Sequence, residues 1–271
     1  MPADRTPARR RARTALVVVL AVVFATGCAA PERPAPPPAP EAIDSYRAAV
    51  VAEAAALQSA TRTLTDAVRA GDVVAAKAAY VVAHRHYVAL EPLAEDLDTA
   101  IDGRTDTGRA TWTGFHRIEK ALWADGSLAG MTGYANALDL DVLGLRQVVG
   151  RAGYRPLAVA KTANDLLTAC VVTMVTGTEE RWAHTDLDDL AAAVGAAHAA
   201  YAALRPALTD PGLAATVDAR FTAVTAVLAP YRRGDGYVDY TTVTAAERRR
   251  IAEALDALAE PLSHMAAAIP T

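Results

Sequence analysis

The chain is poor in cysteine, aromatic residues and strand signals. Two cysteines in 271 residues exclude a disulfide-built scaffold. Three Phe and an aromatic share of 6% leave Ala, Val and Leu to supply most of the 52% apolar residues. A basic excess is also missing, since 27 Lys and Arg face 31 Asp and Glu. A general nucleic-acid binder needs the opposite balance to neutralise phosphates, so nucleic acid is excluded as a partner. What is abundant is Ala, which loses no side-chain entropy on entering a helix. The chain is long enough to bury a core without covalent staples. The expected fold class is all-α.

The first residues read as an address. Five arginines precede an unbroken apolar run, Ala15 to Phe24, and then Ala25-Thr26-Gly27-Cys28. This is a basic, apolar and small-residue succession of the secretory kind. The run is too short to cross a membrane, which takes about 20 residues. Ala-Thr-Gly-Cys resembles the bacterial lipobox, so residues 1–27 are expected to be removed and Cys28 to carry lipid. Residues 28–41 follow as a tether, with six prolines between Pro31 and Pro40. Without residues 1–27 the chain holds 22 basic and 30 acidic residues, net −8 instead of −4. Cys170 is then its one remaining thiol, read as a buried structural one.

The body reads as about eight helices. Ile43, Tyr46, Val50, Ala54, Leu57, Leu64 and Val68 fall at helical spacing. Gly71 ends that helix and Asp72 caps the next, expected to run to Asp96 with Tyr80, Ala83, Tyr87 and Leu90 on one stripe. Further helices are expected at 109–124, 134–149, 157–176, 186–204, 212–232 and 245–268. The Gly150–Pro156 stretch divides them into two antiparallel four-helix-bundle halves, 42–150 and 151–271.

Candidate chemistry concentrates between Glu91 and Glu119. His116 and Glu119 stand three apart, which on a helix puts imidazole and carboxylate on one face, close enough to share an ion. Trp112, Phe115 and Trp123 would shield that face, and Thr113-Gly114 leaves a place for close packing. If the second helix ends near Leu97 and the third begins near Arg109, Glu91 and His116 each lie roughly 10 Å from the turn, at about 1.5 Å per residue. They are then level, with Glu95 on the same face and Pro92 kinking the helix. His84 and His86, two apart, point to nearly opposite sides and cannot form one site. Thr185 and Asp188 read as a helix-capping pair, with His184 beside them as a peripheral ligand. Glu179 and Glu180 read as a solvated turn, with facing an ion as the alternative.

Ile101-Asp102-Gly103-Arg104 followed by the block Trp112 to Trp123 resembles the EfeO/EfeM-type imelysin-like (peptidase M75) family. Tyr87–Leu97, Thr176–Leu187, Tyr231–Tyr240 and Asp256–Met265 also fit, so the resemblance covers about residues 43–269. It implies a two-bundle, extracytoplasmic, non-enzymatic protein of iron uptake. His116 and Glu119 would be its metal site, helped by Glu91 and Asp102, with Glu95, Arg104 and His184 around them. Iron is the implied cargo, with other divalent metals as alternatives, and a membrane permease and a haem-containing peroxidase-like protein are the implied partners. The family's longer members carry a cupredoxin domain; this chain is similar to the shorter type. The family pattern has acids where this chain has Thr168, Ala169 and Gly195; if those acids are ligands or surround the site, metal affinity here is weakened or redistributed.

Two other functions are compatible with the family. A metallopeptidase is one, although helical zinc peptidases use H-E-x-x-H and this chain has none. Binding of an alginate-like polysaccharide is the other, with Trp182, Tyr237 and Tyr240 as platforms.

Overall fold

The computed structural model describes residues 40–94, 98–102 and 112–270, without the side chains of 40, 98–99 and 169–172. The leader, Cys28, the tether to residue 39, Glu95, Arg104 and the Cys170 side chain lie outside the described residues. All described residues belong to one compact unit.

The architecture is all-α. Long helix α1 (Pro40–Ala70) turns at Gly71, whose φ of +73° suits a residue without a Cβ, into α2 (Val73–Val88). Asp72 caps α2 by accepting from the Ala75 N–H at 2.9 Å. Helix α2 stops at Val88 instead of running to Asp96. Pro92 supplies no N–H and disfavours helical backbone at Glu91, so the chain tightens into a single 3-10 turn, Glu91–Leu93. A short α3 (Asp98–Ile101) and α4 (Gly114–Glu119) follow. Helix α4 widens at once into a π turn, Lys120–Ala124, closed by the Asp125 N–H on the Lys120 carbonyl. Then come α5 (Thr132–Arg151), α6 (Pro156–Thr173), α7 (Asp186–Leu204), α8 (Pro211–Leu228) and α9 (Ala245–Ser263). Pro230 ends α8 before the expected Arg232, and a capping box of Thr244 and Glu247 starts α9. Among the described residues the strands are two of two residues each, β1 (Arg232–Arg233) and β2 (Gly236–Tyr237), paired antiparallel around Gly234-Asp235.

Two hydrophobic cores form. The first joins α1, α2, α4 and α5 through Leu57, Leu64, Tyr80, Phe115, Leu138 and Leu145. The second joins α6 to α9 through Leu166, Leu190, Tyr201, Phe221 and Leu255. They do not part cleanly at residue 150: Tyr46 and Val88 pack into the second core and Ala183 into the first. Helices α1 and α2 both pack on α7, and this seam carries the polar residues. Residues Pro211–Tyr231 are long and apolar enough to cross a membrane, yet Val217, Phe221, Val224 and Leu228 face the second core.

Candidate metal centre

His84 lies on the buried stripe of α2, between Tyr80 and Tyr87, with its ring stacked 5.5 Å from that of Tyr80. Asp102 follows α3. It is brought close by Gly114, whose φ is +52° and where an added Cβ would lie 1.9 Å from the Ile101 carbonyl oxygen. Any other residue there would push α4 off α3. The approach lets the His116 N–H reach the Asp102 carbonyl at 3.3 Å.

His116 and Glu119 share the inner face of α4, and both are buried. His116 Nδ1 donates to Glu119 Oε2 at 3.0 Å. Glu119 Oε1 accepts from the Trp182 and Ala183 N–H groups at 2.7 and 2.8 Å. Both oxygens of Glu119 are therefore engaged. It fixes the His116 ring and ties α4 to the connection between α6 and α7, as carboxylates behind metal-binding histidines commonly do. The other ring nitrogen, Nε2, faces Asp102 Oδ1 at 3.2 Å and Glu179 Oε1 at 3.6 Å.

The connection between α6 and α7 supplies the remaining acids. Gly177 (φ +73°) and His184 (φ +57°) bend it into the seam, and the His184 carbonyl accepts from the Tyr240 N–H at 2.9 Å. Glu179 and Glu180 are buried, so the expected solvated turn is corrected: the bend carries both inward. Helix α7 opens with Asp186, Asp188 and Asp189, all buried at its positive end. Thr185 makes no side-chain cap, which corrects the expected pairing with Asp188.

Two groups of donor atoms result, each within 4.8 Å of one another. One holds His84, Asp102, His116 and Glu179, the other His84, Glu180 and Asp189. His84 Nδ1 lies 2.9 Å from Glu180 Oε1 and 3.0 Å from Asp189 Oδ2, and Nε2 lies 3.4 Å from Asp102. Burial works against charge on both imidazoles and is outweighed. Asp189 and Glu180 hold His84 well above the usual range, and Asp102, with Glu119, holds His116 at about 10. Burial likewise opposes charge on Asp102, but His116 and His84 hold it well below the usual carboxylate value. Burial pushes Asp186 up to about 8, with repulsion from Glu180 and Asp189 adding to it.

Of the residues expected at the site, the structure brings His116, Glu119 and Asp102 together. Glu91 is in neither group: α2 ends before it, and it is half-buried on the 3-10 turn. His184 contributes its backbone and is in neither group. His84 and Asp189 are not among the expected ligands, and for Glu179 and Glu180 facing an ion is only the alternative to a solvated turn. The signal for His84 was its spacing of four from Tyr80 and three from Tyr87, a buried stripe. His86 does face the other way, pairing with Glu53 at 2.5 Å beside a cavity of about 420 Å³. Tyr240 is only 1% exposed, so it offers no sugar platform.

The peptidase M75 family profile, imelysin, matches residues 42–265. The iron uptake system component EfeO of Escherichia coli K12, that of Escherichia coli O157:H7 and that of Shigella flexneri are each 39% identical to the chain over 234 residues. The matched stretch covers 83% of this chain and 62% of each relative, so the chain spans less than two thirds of their length. On the profile and the identity together, the chain belongs to the imelysin (peptidase M75) family.

Proposed function

We propose that the chain captures iron as cargo in the seam and passes it on within an extracytoplasmic uptake system. The observation that carries this is a charge imbalance. Among the described residues, seven acids (Asp102, Glu119, Glu179, Glu180, Asp186, Asp188 and Asp189) and two histidines are buried with no Lys or Arg; setting aside Asp186, pushed up to about 8, and Asp188, which Arg85 reaches, five acids face two imidazoles. Buried carboxylates are costly unless paired or coordinating a metal. A cation restores the balance, and oxygen and imidazole donors suit iron. The relatives' name, iron uptake system component, supports iron over other ions. Asp102, Glu179, His84 and His116 would hold the ion, with Glu119 orienting His116. Ligands must be deprotonated to bind, so loading releases protons from the two imidazoles.

In the same reading Cys28 anchors the protein by lipid on the outer side of the membrane. The loaded protein gives its ion to a membrane permease that works with a peroxidase-like partner. No bond of a substrate is broken. A metallopeptidase would need a bound water activated beside a base, whereas Glu119 already accepts three hydrogen bonds.

Iron titration of the purified protein against the double variant His116→Ala/Glu119→Ala is the test. The double variant is expected to lose more than about tenfold in affinity. Equal affinity and stoichiometry in both would overturn the assignment. Cleavage of unfolded protein that chelator and the double variant both abolish would favour the peptidase.

A further inference from the structure

His84 belongs to both donor groups, with Nε2 toward Asp102 and Nδ1 toward Glu180 and Asp189. We propose that the seam offers its cation two alternative stations that share His84, so that the ion can step between them inside the protein. This rests on the iron-binding reading above.

Station one is His84 Nε2, Asp102, His116 Nε2 and Glu179. Station two is His84 Nδ1, Glu180 and Asp189, with separations of 2.9 and 3.0 Å from the ring nitrogen. Small side-chain rotations bring such a set to metal bonds of about 2.1 Å. An acidic cluster alone would not make a site, and a second observation points to a ligand. Glu180 is 0% exposed, and its Oε1 is held by the Tyr80 hydroxyl at 3.1 Å and by His84. Its Oε2 is buried with no hydrogen-bond partner, as is Asp186 Oδ2. A purely structural ion pair satisfies both carboxylate oxygens. Here one oxygen is left for something that is neither side chain nor backbone.

The chemistry of imidazole makes the stations alternative. A neutral ring has one lone pair and one N–H. When Nε2 binds the ion, Nδ1–H donates to Asp189 or Glu180. When Nδ1 binds it, Nε2–H donates to Asp102. A change of station is thus a change of tautomer, with one proton leaving Nδ1 and one taken up at Nε2, so the proton count is unchanged. The carboxylates on each side hold whichever tautomer is present.

Cobalt(II) titration followed by its d–d absorption reads both stoichiometry and ligand set. The wild type, Asp189→Asn (station two weakened) and His116→Gln (station one weakened) are compared, with circular dichroism reporting folding. Each is expected to bind one cobalt ion. The two variants should give different spectra, and a weighted sum of these should reproduce that of the wild type. If His116→Gln does not fold, Glu179→Gln weakens the same station. The proposal is overturned if the station-one variant folds but binds none while Asp189→Asn reproduces the wild-type spectrum. Two ions bound together by the wild type would also overturn it. The iron-binding reading survives either result, whereas a wild type that binds no metal removes both.

Discussion

In the two cores, side chains such as Leu138 and Leu255 leave water completely and need no partner, each gaining about 1.5–3 kcal/mol by burial. In the seam between them, seven acids are buried with two imidazoles and no buried Lys or Arg, and Arg85 reaches only Asp188. The cores account for the fold. The seam does not, because replacing buried ion clusters with apolar residues is often neutral or stabilising. The proposed binding accounts for its cost, so the two regions should respond to mutation in different currencies: the cores in stability, the seam in iron affinity.

The largest effect should come where the two meet. Gly114→Ala sets a Cβ 1.9 Å from the Ile101 carbonyl oxygen in a left-handed backbone. Denaturant unfolding should show a loss of more than about 4 kcal/mol, with iron binding lost as well. Preserved stability would mean that the close approach of α3 and α4 is not needed. Leu138→Ala in the first core and Leu255→Ala in the second should each cost about 2–5 kcal/mol, while the remaining folded molecules bind iron with unchanged stoichiometry. A drop in iron affinity there would break the separation between core and seam.

Ligand stabilisation sharpens it further. Iron at 100 times its dissociation constant should raise the unfolding free energy of the wild type by about 2.7 kcal/mol, read by thermal or chemical melting. The same rise is expected in both core variants at matched saturation. It should vanish in His84→Ala, which removes the donor common to both groups.

The smallest effect lies outside both regions. Asp218 is half-buried in α8 and is held at about 2, first by hydrogen bonds from Arg205 and then by Tyr201. Its ordinary value is 3.8. The folded value is depressed, so the pair's contribution is present above pH 3.8 and is lost as pH falls through about 2. The melting temperatures of wild type and Asp218→Asn should differ at pH 5 and converge toward pH 2. A difference that does not change with pH would assign the effect to packing instead.

Much of the fold was legible because its signals are local. Periodic Ala and Leu, Gly71 and the Asp72 cap gave α1 and α2 their joint, and the Asp186–Leu204 helix was read with its observed bounds. The errors were local too. Pro92, expected to kink a longer helix, instead lies in the 3-10 turn after α2, which stops at Val88. At the site, His116, Glu119 and Asp102 were found from one short stretch and its family resemblance. His84 and Asp189 are not legible, and Glu179 and Glu180 only as an alternative, because the four come together only when α2 packs on α7. Glu179 and Glu180 look like any acidic turn until the positive φ of Gly177 and His184 folds them inward. Spacing reads Glu119 as a ligand, and the Trp182 and Ala183 N–H groups on its Oε1, which no spacing shows, support the orienting role proposed for it.

The central claim is that iron sits among imidazoles in the seam and not on the acidic surface. Iron K-edge X-ray absorption of the loaded wild-type protein tests it most directly. The account predicts a first shell of nitrogen and oxygen with imidazole scattering beyond it, lost in His84→Ala/His116→Ala. An oxygen-only shell in the wild type, unchanged in that variant, would contradict it.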